Sequence, residues 1–89
     1  MTLQDIAKAL NNKRIFVSVK IFGTNTECGL YSEKSRVFVK TDKQTNHNFL
    51  MFVNEDYEQV CVDIDTIKSF KHNANTYLFN CGTYGIKIE

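Results

Sequence analysis

Two hydrophobic rhythms divide the chain. Near its start Leu3, Ile6, Ala7 and Leu10 recur at i, i+3, i+4 and i+7, which draws one apolar stripe down a short helix. Thr2 and Asp5 have the three-residue spacing at which two side chains can cap the free amides of a helix start. Asn11-Asn12 supplies the stop, since asparagine tolerates the left-handed backbone common just past helix ends. The pattern predicts a helix over about residues 3–11, too short to persist in water unless it lies on other structure.

From Arg14 the period changes to two. Ile15, Val17, Val19 and Ile21 point to one side and Phe16, Ser18, Lys20 and Phe22 to the other, with the β-branched content of a strand. Gly23 and Thr24-Asn25-Thr26 break it. Strand character resumes over 28–31 and again over 36–40, where Val37 and Val39 face together. The wholly polar stretch 41–48 reads as a solvated loop. Residues 49–53 form a short apolar run fit for a buried strand, and 54–56 turn the chain into a strand over 57–65 that a bend carries through 66–70. On that strand Val60, Val62 and Ile64 face inward, opposite Cys61, Asp63 and Asp65. Segments 76–79 and 84–88 flank Asn80-Cys81-Gly82-Thr83, a tight turn with Gly82 free to take positive φ.

These elements make one domain over residues 1–89 of the α+β class, mainly β. A short N-terminal helix packs on a strongly curved antiparallel sheet or small barrel of about five to seven strands, the β region covering residues 14–88. The apolar fraction of 43% and charged fraction of 24% are those of a folded globular chain. No run approaches the ~18 apolar residues of a membrane span, and MTLQDIAKALNN has neither the basic start nor the apolar block of a secretion signal. A cytoplasmic protein without membrane contact is therefore expected. Cys28, Cys61 and Cys81, an odd set at wide spacing, do not read as a disulfide framework and are expected to be small interior residues. The net charge of +1 divides into +4 over residues 1–47 and −3 over 48–89, so the molecule is electrically lopsided.

Candidate chemistry is sparse. His47 and His72 are the available bases, no nucleophile elbow accompanies any cysteine, and the cysteines do not occur as C-x-x-C. Gly82-Thr83-Tyr84-Gly85 lacks the lysine and following helix of a phosphate loop. No catalytic residue, metal site or cofactor is expected. Asp63 and Asp65 would share a strand face that can hold a cation, yet such faces commonly present charge to water. Together with Glu55, Asp56 and Glu58 they could instead imitate phosphates toward a protein target, with Tyr57 as an exposed aromatic contact. The basic counterpart is Lys34, Arg36, Phe38, Lys40 and Lys43, where charge and a stackable ring interleave as in single-strand binders. The same cations also suit a soluble strand edge.

Two resemblances bear on function. The helix followed by NKRIFVSVKIFGTNTECGLYS, through Val17, Val19, Gly23, Gly29 and Leu30, resembles the opening of Sm-like RNA-binding proteins, which implies a bent barrel. Ser32-Glu33-Lys34-Ser35-Arg36 stands where that family has an Asp-x-hydrophobic-x-Asn turn, and Cys81-Gly82 stands for its Arg/Lys-Gly pair, so no RNA-binding residue transfers. In type, the chain is similar to accessory proteins of bacteriophages and mobile elements, including anti-CRISPR and other anti-defence inhibitors. That similarity implies a non-enzymatic inhibitor in the host cytoplasm, binding a host protein such as a defence nuclease. The alternatives are a small nucleic-acid or nucleotide-binding barrel and a homo-oligomeric assembly protein.

Overall fold

The computed structural model describes residues 2–89. Helix α1 (Leu3–Leu10) opens on the expected capping box: Thr2 Oγ1 accepts the Asp5 amide at 3.1 Å, and Asp5 Oδ2 accepts the Thr2 amide at 3.0 Å. Asn11 ends the helix with extended dihedrals, and Asn12 takes the left-handed conformation at φ 62°. Eight strands follow: β1 (Ile15–Ile21), β2 (Glu27–Ser32), β3 (Arg36–Thr41), β4 (Asn48–Val53), β5 (Gln59–Asp63), β6 (Ser69–Asn73), β7 (Thr76–Asn80) and β8 (Tyr84–Ile88). All pairings are antiparallel. They form a five-stranded sheet in the order β2-β1-β8-β7-β6 and a three-stranded sheet in the order β3-β4-β5.

Period-two patterning decides which faces meet. Ile15 and Val17 of β1, Leu30 of β2, Tyr77 and Phe79 of β7, and Ile86 and Ile88 of β8 turn to one side of the larger sheet. Val37 of β3, Leu50 and Phe52 of β4 and Val62 of β5 answer from the smaller one, and Ile6, Ala7 and Leu10 of α1 join the same cluster. Five of these side chains, Val17, Leu50, Phe52, Val62 and Ile88, have no solvent exposure at all. One core therefore runs between both sheets and the helix. The helix is fastened to the start of β3, because its last carbonyls lack helical partners. Ser35 Oγ donates to the carbonyls of Leu10 and Lys13 at 3.0 and 3.1 Å, Asn12 donates to the Ser35 carbonyl at 2.7 Å, and Asn11 Oδ1 accepts the Val37 amide at 3.0 Å.

The mainly β class with one N-terminal helix holds, while three details differ from the sequence expectation. The strands number eight rather than five to seven, and they divide between two sheets. The strand drawn through residue 65 and on to 70 stops at Asp63. A single 3₁₀ turn, Ile64–Thr66, follows because the Asp63 carboxylate caps it through the Asp65 amide at 3.0 Å, and the chain then crosses to the other sheet as β6. Finally, only Cys81 is interior; Cys28 and Cys61 are exposed. Cys61 takes an outward position on edge strand β5, and Cys28 sits at an end of edge strand β2 where the cover thins, its partner Val19 half-buried and Ile21 beyond it exposed.

Candidate functional site

The β4–β5 turn is the most tightly specified piece of surface. Asn54, 6% exposed, organises it: its Oδ1 accepts the amides of Asp56 and Glu58 at 3.0 and 2.9 Å, and its Nδ2 donates to Glu58 Oε1 at 2.9 Å. The backbone closes the loop with Asn54 N–H to Glu58 O at 3.0 Å and Tyr57 N–H to Asn54 O at 3.2 Å. Tyr57 sits at the tip with φ 63°, in the left-handed region that a large side chain rarely occupies. Its ring is 80% exposed, and the Arg36 guanidinium lies 5.9 Å from the ring centroid, within cation–π range.

Glu55 has an internal task. It accepts the Ser32 hydroxyl at 2.5 Å and the Lys34 amide at 2.8 Å on Oε1, and the Glu33 amide at 3.3 Å on Oε2, so it braces the β2–β3 turn. The Ser32 hydroxyl, then the Lys34 amide, hold its carboxyl below the usual glutamate value. The structure thus brings Lys34 and Arg36 from the basic set beside Glu55 and Tyr57 from the acidic set, in one hollow.

The remaining acids lie at the opposite end of β5. There His47 Nδ1 meets Asp63 Oδ2 at 2.9 Å, and Asp65 stands close enough that ligand atoms of all three lie within 4.8 Å of one another. The bond to Asp63 raises the His47 pKa above its usual 6.5, and the same bond, ahead of the Asp65 amide, lowers that of Asp63. Asp63 and Asp65 are not on one strand face as the sequence suggested, because the second lies in the 3₁₀ turn. Histidine joined them unannounced: the loop after β3, built on Asp42, carries His47 back to the end of β5, a long-range return that no local signal marks. Three oxygen and nitrogen donors at this spacing can exchange the histidine proton for a divalent cation, but their mutual ion pair already accounts for the geometry.

Along β3, Arg36, Phe38 and Lys40 do face outward together, opposite Val53, Met51 and Phe49. Lys43 joins Lys40, Phe49 and Cys61 around a shallow hollow at the end of that sheet, whereas Lys34 belongs to the turn below it. Neither imidazole hydrogen-bonds to a thiol among the described residues: His47 pairs with Asp63, and His72 stacks on Tyr77 with centroids 4.1 Å apart.

Sequence reasoning passed over the outer face of the five-stranded sheet. Phe16, Phe22, Tyr31 and Leu78 are all exposed there. Two rings lean across neighbouring strands onto glycine: a β-carbon on Gly29 would meet Phe16 Cζ at 2.6 Å, and one on Gly85 would meet Phe22 Cζ at 2.7 Å. Between Phe22 and Leu78 lies an open groove of about 390 Å³, rimmed by Lys20, Lys71 and Lys87. The alternation Phe16, Ser18, Lys20, Phe22 was the available signal, but it showed only that these side chains share the face opposite Ile15 and Val17. Comparison with family models, curated proteins and solved structures finds no match to this chain.

Proposed function

We propose that the chain is a non-enzymatic protein-binding inhibitor, encoded by a phage or mobile element, whose contact point is the β4–β5 turn. One observation carries this reading: Tyr57 is held at the tip of a turn fixed by internal hydrogen bonds, 80% exposed and accompanied by Arg36. Tyrosine and arginine dominate the energetics of protein interfaces, and a contact already ordered before binding loses little entropy on docking. Asp56 and Glu58 flank Tyr57 in the chain and add exposed acidic residues to the turn, while Glu55 acts from behind by bracing the neighbouring turn. The target class, a host protein such as a defence nuclease, rests on the similarity of type to anti-defence inhibitors.

The test is capture of the partner from lysate of the native host by tagged protein. Tyr57→Ala should remove a contact worth about 2 kcal/mol or more, roughly thirtyfold in affinity. Asp63→Lys with Asp65→Lys, at the other end of β5, should leave capture intact. Recovery of the same partner at full yield with Tyr57→Ala would show that the turn is not the contact. A second reading draws on Arg36, Phe38 and Lys40 sharing one outward strand face with Lys43 nearby, a track for single-stranded nucleic acid. It requires binding that weakens steeply with salt and falls when Arg36 and Lys40 become Glu; absence of binding at low salt excludes it.

A further inference from the structure

The groove on the five-stranded sheet lies apart from the Tyr57 turn, on the other sheet, and its construction is of a different kind. Its floor is made of short side chains. Registered pairing sets Lys20 beside Gly85, Gly85 beside Asn80 and Asn80 beside Ser69, so a row of small residues crosses β8, β7 and β6. In the adjacent row Ser18, Lys87, Leu78 and Lys71 succeed one another across β1, β8, β7 and β6. Four strands at about 4.8 Å spacing make this row about 14 Å long. Phe22 walls the opposite side, its ring resting over Gly85.

Three features favour a specific ligand chemistry. The first is charge: Lys20, Lys71 and Lys87 stand against the single carboxylate Glu27 in the lining, and the bond of Lys87 to Glu89 at 3.1 Å is an exposed pair that a stronger anion can displace. The second is a polar patch on the floor. Ser18, 9% exposed, lines the groove and contributes a hydroxyl to it. Asn80 also lines the groove; its Oδ1 accepts the Gly82 amide at 2.9 Å, and its NH₂ is the end of that side chain able to donate to a ligand. The third is asymmetry. Glu27 sits opposite Lys20 at the β2 end, whereas Lys87 and Lys71 line the way to β6. A strand with a phosphate at every step would run into Glu27; a ligand charged at one end would not.

From these features we infer that the outer face of the five-stranded sheet is a binding site for a free nucleoside polyphosphate. The base lies against Phe22 above Gly85, within reach of the Ser18 hydroxyl and the Asn80 amide, and the phosphates extend toward Lys87 and Lys71. A groove of about 390 Å³ with an apolar wall and few polar groups falls in the range of small-molecule sites.

The experiment is titration of isotope-labelled protein with ATP, GTP, CTP and UTP in turn, followed by amide chemical shifts. Inorganic tripolyphosphate and an oligothymidylate serve as comparators. At least one nucleotide should move the amides of Ser18, Lys20, Asn80 and Gly85 saturably and leave those of β3–β5 in place. Phe22→Leu should weaken that binding about tenfold, the scale of one lost stacking contact, without changing tripolyphosphate binding. Lys71→Gln, at an exposed position that cannot endanger folding, should weaken both. Ser18→Val should block the floor, and the spectrum itself reports whether each variant is folded. The inference fails if no nucleotide gives a saturable shift. It fails equally if tripolyphosphate binds as tightly as every nucleotide, which would mean an anion held by lysines alone. Tighter binding of oligothymidylate at the same amides would assign the face to a nucleic-acid strand instead. None of these outcomes touches the capture experiment at Tyr57, so the two readings stand or fall separately.

Discussion

Asn54→Ala is the sharpest probe of how the proposed contact turn is held. The asparagine contributes three bonds of good length, from the amides of Asp56 and Glu58 and to the Glu58 carboxylate, and a longer one of 3.4 Å to the Tyr31 carbonyl. Each good bond is worth about 1 kcal/mol net, but the amides freed by the substitution belong to exposed residues and can be rehydrated, so about 2 kcal/mol of the loss remains. For a domain of this size that corresponds to a fall in Tm of about 8–16 °C, read by circular dichroism. Asn48→Ala is the control. Its Oδ1 takes only the exposed Thr41 hydroxyl at 2.6 Å, and such a surface change stays within about 0.5 kcal/mol. Hydrogen exchange adds a local readout, because the Asp56 and Glu58 amides should lose protection before the strands do. Partner capture should also weaken although Tyr57 is untouched, since a loosened turn must be reordered on binding. An Asn54→Ala protein that melts within about 2 °C of its parent, well short of that range, with the Glu58 amide still protected, would refute the argument that this side chain fixes the turn.

Other consequences are checked more briefly. Ser35→Ala removes the hydroxyl that bridges the carbonyls of Leu10 and Lys13, leaves Leu10 with only the longer bond from the Lys13 amide at 3.3 Å, and should cost roughly 1–2 kcal/mol, seen as a lower urea midpoint at unchanged slope. Alkylation of the native protein should modify Cys28 and Cys61 quickly and Cys81 only after denaturation; rapid reaction of all three would contradict the burial of Cys81. The His47–Asp63 pair makes stability depend on pH in both directions. The raised His47 contributes fully below 6.5 and loses its contribution as pH rises through its folded value. The lowered Asp63 contributes above 3.8 and loses it as pH falls through its own folded value. Stability from this pair therefore peaks between those two ordinary values, and His47→Gln should flatten the profile; an unaltered profile in that variant would remove the pair as its source.

What could be read from sequence was whatever depends on neighbours a few residues away. The Thr2 and Asp5 spacing gave the capping box, the alternation from Ile15 to Phe22 gave β1 and its two faces, and Gly82 took positive φ, at 89°, as its turn requires. Legibility failed where a side-chain bond overrode strand periodicity, or where the partner lay far along the chain. Val60, Val62 and Ile64 keep strand periodicity, yet the Asp63 carboxylate captures the Asp65 amide and turns the chain before Ile64 can pair. Glu55 looked like a free charge because nothing nearby in sequence reveals that Ser32 and the Lys34 amide lie across from it. Cys61 followed strand alternation correctly, but the general preference of cysteine for interiors was stronger in the reading than the outward parity it shares with Asp63.

The two outer faces differ in how their central strands are covered. On the three-stranded sheet Met51 and Val53 take outward positions on the central strand, yet they are only 7% and 6% exposed, because strands β3 and β5 flank them with larger side chains such as Arg36, Phe38 and Gln59. Gly29, Ser18, Gly85 and Ser69 are among the outward positions of the five-stranded sheet, and side chains of that size cannot cover their neighbours. Phe16 and Phe22 lean into the vacated space without filling it, which leaves their rings about two-fifths exposed. Residue size therefore covers the central strand of one face and leaves that of the other open, and the two proposed working surfaces fall on different sheets. Phe22→Leu should then leave partner capture unchanged, and the double variant should lose no more than Tyr57→Ala alone, with or without nucleotide, as expected for sites that share no contacts. A loss of capture with Phe22→Leu would instead mean that one ligand spans both sheets, and the separation argued from residue size would no longer describe how the surfaces work.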